Sequence, residues 1–288
     1  MTKKSFFFLI TLFLTIQTFT QTTFSVDDVM KEQKVKTKTQ YKCGQKGKNC
    51  EIIYQHHFDN KGRLVKYIEF SSGKPFLTTY YHYNRFNKAD IIYNQFSGEK
   101  KYVSQVYKFD NNGNITEFQS CFENSGCSST EKYFYNNSNK LIKKIEFKDD
   151  GKPDTQYEYF YDKKGNNINI TTLYLANHSK IKELNYFDSN NRMIKSISFD
   201  NNKPFDSAEY SYDKNGNLKT LNWKGGLGYK NFYTYDTDGN EIEYRSIAYN
   251  KQPLDHRVMT YKNKLEQTRI HYQGKSVERF FKFNYEFY

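Results

Sequence analysis

Polar and apolar residues alternate one by one in short runs along this chain. Examples are Tyr157-Glu-Tyr159-Phe-Tyr161, Tyr233-Thr-Tyr235, Leu64-Val-Lys-Tyr-Ile-Glu-Phe70, Leu141-Ile-Lys-Lys-Ile-Glu-Phe147 and Met193-Ile-Lys-Ser-Ile-Ser-Phe199. Period-two alternation predicts antiparallel strands with unequal faces. In the last three runs one face carries Leu or Met, Lys, Ile and Phe, and the other is mixed or polar. No segment carries the spacing of a long amphipathic helix.

Two kinds of turn separate the strands. The first follows an aromatic–Asp pair, as in Asp59-Asn-Lys-Gly62, Asp110-Asn-Asn-Gly113, Asp162-Lys-Lys-Gly165, Asp213-Lys-Asn-Gly216 and Asp236-Thr-Asp-Gly239. An Asp that caps its own turn, with a Gly free to take positive φ three residues later, predicts a type I turn closing with a bulge. The second carries Pro75, Pro153, Pro204 and Pro253, in contexts such as SSGKPF, DDGKPD and DNNKPF. Proline has no amide hydrogen to give a ladder and belongs at turns and strand ends.

The aromatic markers recur at Phe58, Tyr83, Phe109, Tyr135, Tyr161, Phe187, Tyr212, Tyr235, Tyr261 and Phe283, 22 to 26 residues apart. Self-similarity at this period is the mark of a repeat architecture. The expected fold is all-β: an antiparallel meander of about nine two-stranded repeats of period about 26, 18–20 strands in all, over residues 52–288. At about 4.8 Å per strand such a sheet would run to roughly 90 Å if flat, so it must twist, coil or close. An extended, twisted or coiled sheet with its aromatic face turned inward is the expectation, because an open aromatic face invites aggregation.

Composition then narrows the class. Mean hydropathy is −0.94, yet 18% of residues are aromatic, so Tyr and Phe carry the apolar surface and a disordered chain is disfavoured. Residues 1–20 read as a secretory signal peptide: Lys3 and Lys4 precede the apolar run Phe6–Leu14, with Thr18 and Thr20 before Gln21. That run is too short to span a bilayer, and no later stretch reads as a transmembrane helix. The net charge of +12 allows a polyanion as partner. Residues 21–51 form an N-terminal segment with one cysteine pair. In an exported chain the local pairs Cys43 with Cys50 and Cys121 with Cys127 imply disulfides, each bracketing a Gly-containing turn.

The motif in Tyr210-Ser-Tyr-Asp-Lys-Asn-Gly-Asn217 and Tyr233-Thr-Tyr-Asp-Thr-Asp-Gly-Asn240 resembles the YD repeat of RHS-type bacterial surface and toxin proteins. The resemblance extends over residues 52–284. It implies a coiling sheet of β-hairpins on a secreted or envelope-associated protein. The unit here is a few residues longer, and repeats run to Tyr288 where that family carries a core motif and toxin cargo.

Candidate chemistry is sparse. The repeated Asp side chains are explained by turn capping, since Lys or Asn fills the positions a calcium loop would need for oxygen ligands. His57 and His82 share one phase on strands roughly 10 Å apart, beyond a common metal, and His56 points the other way. No nucleophile elbow, zinc motif or phosphate loop occurs. No enzyme activity, cofactor, metal or nucleic-acid partner is expected. Trp223 and Lys224, beside Gly-Gly-Leu-Gly228 in a unit shortened to 23 residues, are the one binding candidate. There the Trp either stacks on a sugar or partner side chain, or fills the shortened layer. The first expectation for function is an exported, non-enzymatic scaffold that binds protein or glycan in the periplasm, at the outer membrane or outside the cell. The alternative is an outer-membrane β-barrel of about 20 strands, against which stand many outward Lys and Glu.

Overall fold

The computed structural model describes residues 28–288 except 45, 46, 124, 227 and 275, so the expected signal peptide lies outside the described residues. A short helix, α1 (Asp28–Glu32), leads into β1 (Val35–Cys43), β2 (Cys50–Phe58), β3 (Leu64–Ser71), β4 (Lys74–Tyr83) and β5 (Ala89–Phe96). The meander continues through β6 (Tyr102–Phe109), β7 (Ile115–Phe122), β8 (Gly126–Tyr135), β9 (Leu141–Phe147) and β10 (Pro153–Tyr161). Next come β11 (Asn167–Tyr174), β12 (Ser179–Phe187), β13 (Met193–Asp200), β14 (Lys203–Tyr212) and β15 (Leu218–Trp223). The last five are β16 (Tyr229–Tyr235), β17 (Glu241–Ala248), β18 (Pro253–Lys262), β19 (Leu265–Gln273) and β20 (Ser276–Phe287). Each strand pairs antiparallel with its sequence neighbours, and β1 pairs with β20, so the 20-stranded sheet closes on itself.

Closure corrects the expectation of an extended or coiled open sheet. The sequence pattern shows each hairpin but not its ends. The strand that closes the wall, Val35-Lys-Thr-Lys-Thr-Gln-Tyr-Lys-Cys43, lacks the aromatic–Asp marker. It lies in the segment set apart as residues 21–51, so the barrel begins before residue 52. Its partner is the aromatic C-terminal strand, in the register Thr39↔Asn284 and Tyr41↔Lys282. Tyr288 completes the seam by donating its amide to Lys34 O and its hydroxyl to Phe58 O.

The Asp-type turns form one mouth. Asp59 Oδ1 accepts the Lys61 and Arg63 amides, and Gly62 takes φ 76°. The same geometry recurs where the glycine is missing: Asn87, Asn139 and Asn191 take φ of 56°, 57° and 60°. Asparagine is among the few residues that tolerate this region, so the turn survives the substitution. Neighbouring turns are tied together, as by Arg63 Nη1 to Asn87 Oδ1 (3.1 Å), Lys88 Nζ to Gly113 O (2.7 Å) and Asn112 Nδ2 to Asn139 Oδ1 (2.9 Å). At this mouth Val29 and Met30 around α1 pack with Val35, Phe58, Leu64, Leu265 and Tyr285.

The opposite mouth holds the proline turns. Pro75, Pro153, Pro204 and Pro253 sit near the start of even-numbered strands, each at a register shift where the ladder does without an amide hydrogen. Both disulfides are here, Cys43–Cys50 and Cys121–Cys127, each between directly paired strand residues. The second pins a hairpin that lacks the proline.

Candidate functional site

Following the register from strand to strand separates the two faces of the wall. One face carries Tyr67, Tyr81, Tyr107, Tyr133, Tyr157, Tyr210 and their neighbours; the other carries Lys66, Lys108, Lys143, Lys195, Lys230 and Lys282. Away from the strand ends, the tyrosine face holds most of the buried positions and the lysine face the exposed ones. Side chains on the concave side of a closed sheet converge and shield one another, so the tyrosines line the lumen. A bulge beside each Asp-type turn flips the phase, so Leu64, Leu141 and Met193 face inward while Lys66, Lys143 and Lys195 on the same strands face out. At about 4.8 Å per strand and a tilt of about 40°, 20 strands give a circumference of roughly 125 Å, which leaves a lumen wider than side chains can fill.

The lumen wall is built in cross-strand rows that start two residues before each aromatic marker. Four of them read Tyr81–Ile92–Gln105, Tyr107–Phe118–Glu131, Tyr133–Lys144–Tyr157 and Tyr159–Ile170–Glu183. Rows that start at His56 and Met259 keep a large side chain, but the row on β12, β13 and β14 does not: it reads Asn185–Ser196–Ala208, and continues to Trp223 and Tyr229. The tyrosine is replaced by a shorter amide and its neighbours are small, so the inner layer is recessed there. Beside it runs the row Glu183–Ser198–Asp206, with Gly225 next to Asp206. A Cβ on Gly225 would lie 1.1 Å from Asp206 Oδ1, so the glycine is what leaves room for that carboxyl.

The polar groups around this recess differ from those elsewhere in the lumen. Lys144, only 5% exposed, lies 2.5 Å from Glu146 and 3.5 Å from Glu131, whose other neighbours are the hydroxyls of Tyr157 and Tyr133. Glu266 is held by two hydrogen bonds from the Arg269 guanidinium, both 2.8 Å. At the recess, Asp206 (5% exposed) and Asn185 (6% exposed) are buried, yet Asp206 Oδ1, Asn185 Oδ1 and Glu183 Oε1 accept no hydrogen bond from any described residue. Asn231 Oδ1, on β16, is in the same position. Burial pushes Glu183 up to about 7, against a weaker downward pull from the Asn185 side chain, and pushes Asp206 up to about 6. Among the described residues no cation offsets that burial at either carboxyl.

Trp223 faces this recess and packs on Tyr229, ring centroids 5.0 Å apart. Lys224 does not join it: its ammonium pairs with Glu209 on the outer wall at 2.7 Å. The four cysteines lie at the rim, in disulfides. His56 faces the lumen against Tyr67, where burial and then Lys38 hold it down at about 4, while His57 and His82 face outward to Gln55 and Asp90. At Asp59 partial burial opposes ionisation, but the amides of Arg63 and Lys61 and the Arg63 guanidinium outweigh it and hold the carboxyl below its usual range. Among the described residues no group of three His, Cys, Asp or Glu converges as metal ligands. Sequence reasoning missed Glu183, Asn185, Asp206 and Asn231. The available signal was Asn185 standing two residues before the Phe187 marker, where Tyr81, Tyr107, Tyr133, Tyr159, Tyr210 and Tyr233 stand before theirs.

No family model matches the sequence, and no curated protein matches it. Among solved structures, "TcdB2-TccC3-Cdc42" matches at 16% identity and a TM-score of 0.49, over 80% of this chain and 14% of that one. The Tc holotoxin pore of Photorhabdus luminescens matches at 12% identity and a TM-score of 0.38, over 78% of this chain and 14% of that one. A porin-like protein from Bacteroides uniformis matches at 12% identity and a TM-score of 0.38, over 88% of this chain and 98% of that one. The chain thus spans about a seventh of the toxin chains it matches. None of these likenesses bears on function.

Proposed function

We propose that this chain is an exported, non-catalytic barrel of the cell envelope that works through its lumen. The carrying observation is the β1–β20 ladder, which closes the wall around a tyrosine-lined interior. Closure supports the barrel of about 20 strands over the open scaffold surface, and the two disulfides suit an oxidising compartment.

A second observation bears on where the wall stands. Its outer face carries Lys66, Lys108, Lys143, Lys195, Lys230 and Lys282, spread from β3 to β20. A lysine or arginine facing lipid costs about 2–4 kcal/mol near the bilayer midplane and little near the interfaces. Lys66, Lys108, Lys143, Lys195 and Lys230 stand within three residues of a strand end, but Lys182, Arg245 and Lys282 face outward from mid-strand, and those positions favour a wall bathed in water. No helix among the described residues is long and apolar enough to cross a membrane, which leaves strand insertion open to test.

Two measurements test the reading. The mature chain should stay in the aqueous fraction without detergent and should not float with liposomes; flotation that resists carbonate would place the wall in the outer membrane. The adjacent positions Tyr244 and Arg245 face in and out. Tyr244→Cys and Arg245→Cys should both react with a small maleimide, but only Arg245→Cys with a long poly(ethylene glycol) maleimide. Equal reaction of both with the long reagent would refute an enclosed lumen.

A further inference from the structure

Buried carboxyls and amides in a folded wall ordinarily find a partner, because an unmatched one costs on the order of 1–3 kcal/mol. Elsewhere in this lumen the carboxyls do: Glu131, Glu146 and Glu266 all meet a cation, and the unserved atoms at His56, Arg257 and His271 are nitrogens. The recess on β12–β16, with Asn167 Oδ1 beside it on β11, is where unserved carboxyl and amide oxygens gather. It gathers Glu183 Oε1, Asn185 Oδ1, Asp206 Oδ1 and Asn231 Oδ1, four acceptors that no described residue serves. It is also where the tyrosine layer is thinned to Asn185, Ser196 and Ala208. The matching ligand must bring donors.

The spread of these acceptors decides which ligand. Glu183 and Asp206 are separated by one strand, and Asn231 lies four strands from Asn185, so the set spans about 19 Å of wall. A single metal ion reaches oxygens only about 2.0–2.6 Å away, so it serves at most one corner. A chain molecule carrying hydroxyls along its length reaches all of it. Trp223 and Tyr229, side by side at the recess with their planes 43° apart, each supply an aromatic face on which a sugar ring packs. The carboxyls are suited to hydroxyl partners: Glu183, raised to about 7, is partly protonated at neutral pH and in that form both donates and accepts, while Asp206 accepts.

We infer that the lumen recess bounded by Glu183, Asn185, Asp206, Trp223 and Asn231 is a binding site for a neutral oligosaccharide. This rests on the lumen being the working surface. Of the adjacent residues Trp223 and Lys224, only the tryptophan takes part, and the lysine on the outer wall is left out.

Trp223 is the sole tryptophan of the chain, so its fluorescence reports on this site directly. The mature protein is titrated with chitohexaose, maltohexaose and cellohexaose, and separately with spermine. At least one hexasaccharide should give a saturable change, with spermine silent. Asn185→Tyr restores the residue found in the equivalent rows and fills the recess, so it should keep the fold and weaken binding at least tenfold. Asp206→Ala should weaken it by a similar factor, and Lys224→Ala should leave it unchanged. Silence toward all three sugars from a protein with an intact β spectrum overturns the site, as does unchanged binding in Asn185→Tyr. A saturable response to spermine alone overturns it in favour of a cationic ligand. The maleimide pattern at Tyr244 and Arg245 reports on the enclosed lumen independently, so failure of the sugar site and failure of the lumen reading give different results.

Discussion

Lys144 offers the sharpest energetic test of the lumen wall. Its ammonium lies 2.5 Å from Glu146 and 3.5 Å from Glu131, with the Tyr157 ring 4.5 Å away, and the residue is 5% exposed. At an effective dielectric of about 20, the two ion pairs are worth about 7 and about 5 kcal/mol in gross attraction. Most of that is cancelled by taking three charges out of water and by repulsion between the two carboxylates, so the intact cluster adds little net stability. Removing the lysine alone is different: Lys144→Met keeps the apolar stem and leaves two like charges between Tyr133 and Tyr157 with no cation. The expected loss is about 3–5 kcal/mol, read from urea unfolding midpoints with the disulfides intact. The triple variant Lys144→Met, Glu131→Gln, Glu146→Gln should recover most of it, because amides carry no charge to strand. If Lys144→Met unfolds within about 1 kcal/mol of the parent, the cluster is wet and the inner face is not the shielded surface described.

Three further outcomes follow from the same geometry. Deleting residues 276–288 removes β20 and orphans both β1 and β19, so the β signal should be lost or the protein should aggregate; a soluble remainder with a proportionate β spectrum would restore the open, coiling sheet. Glu183 is raised from 4.5 to about 7 in the folded protein, so its neutral form is preferred on folding. That stability is present in full below about pH 4.5 and is lost as pH rises through about 7, a change of about 2–3 kcal/mol that Glu183→Gln should flatten in urea titrations at pH 5 and pH 8. An unchanged pH slope in that variant would place the carboxyl in water. Gly216 sits at φ 90° with only the Arg192 guanidinium, at 3.8 Å, in ordinary contact with its Cβ position, so Gly216→Val should cost about 1–3 kcal/mol, mainly by backbone strain, against about 0.5 kcal/mol or less for Lys214→Ala; equal midpoints would show the turn is misassigned.

The turns were legible because their requirement is local. A capping Asp or Asn and a residue tolerant of positive φ must stand three apart whatever the rest of the chain does, and the same spacing carries Asn87, Asn139 and Asn191 where Gly is absent. Strand number follows from counting turns, and the inward aromatic face follows from the cost of exposing it. The phase of the long Leu, Lys, Ile and Phe runs was less legible. A bulge at the aromatic marker shifts the register by one, which sends Leu64 to the lumen and Lys66 to the outer wall on one strand. Period-two counting without the bulge puts them on one face.

Closure and the recess were not legible, and for one shared reason: each depends on residues that the repeat makes inconspicuous. Every hairpin is stabilised by its own neighbours, so nothing within a unit records how many units complete a turn of the wall. The signal for closure lies at the ends, where an unmarked strand of alternating Thr and Lys meets the aromatic C-terminus. The recess likewise shows only as a departure from the repeat, at Asn185, and a departure reads as drift until the neighbouring rows are laid side by side. In space it coincides with Ser196, Ala208 and Gly225, from three different strands or turns, each small where its neighbours need room. A repeat protein hides its site where its own rule is broken, because the rule builds the wall and the exceptions shape the hollow.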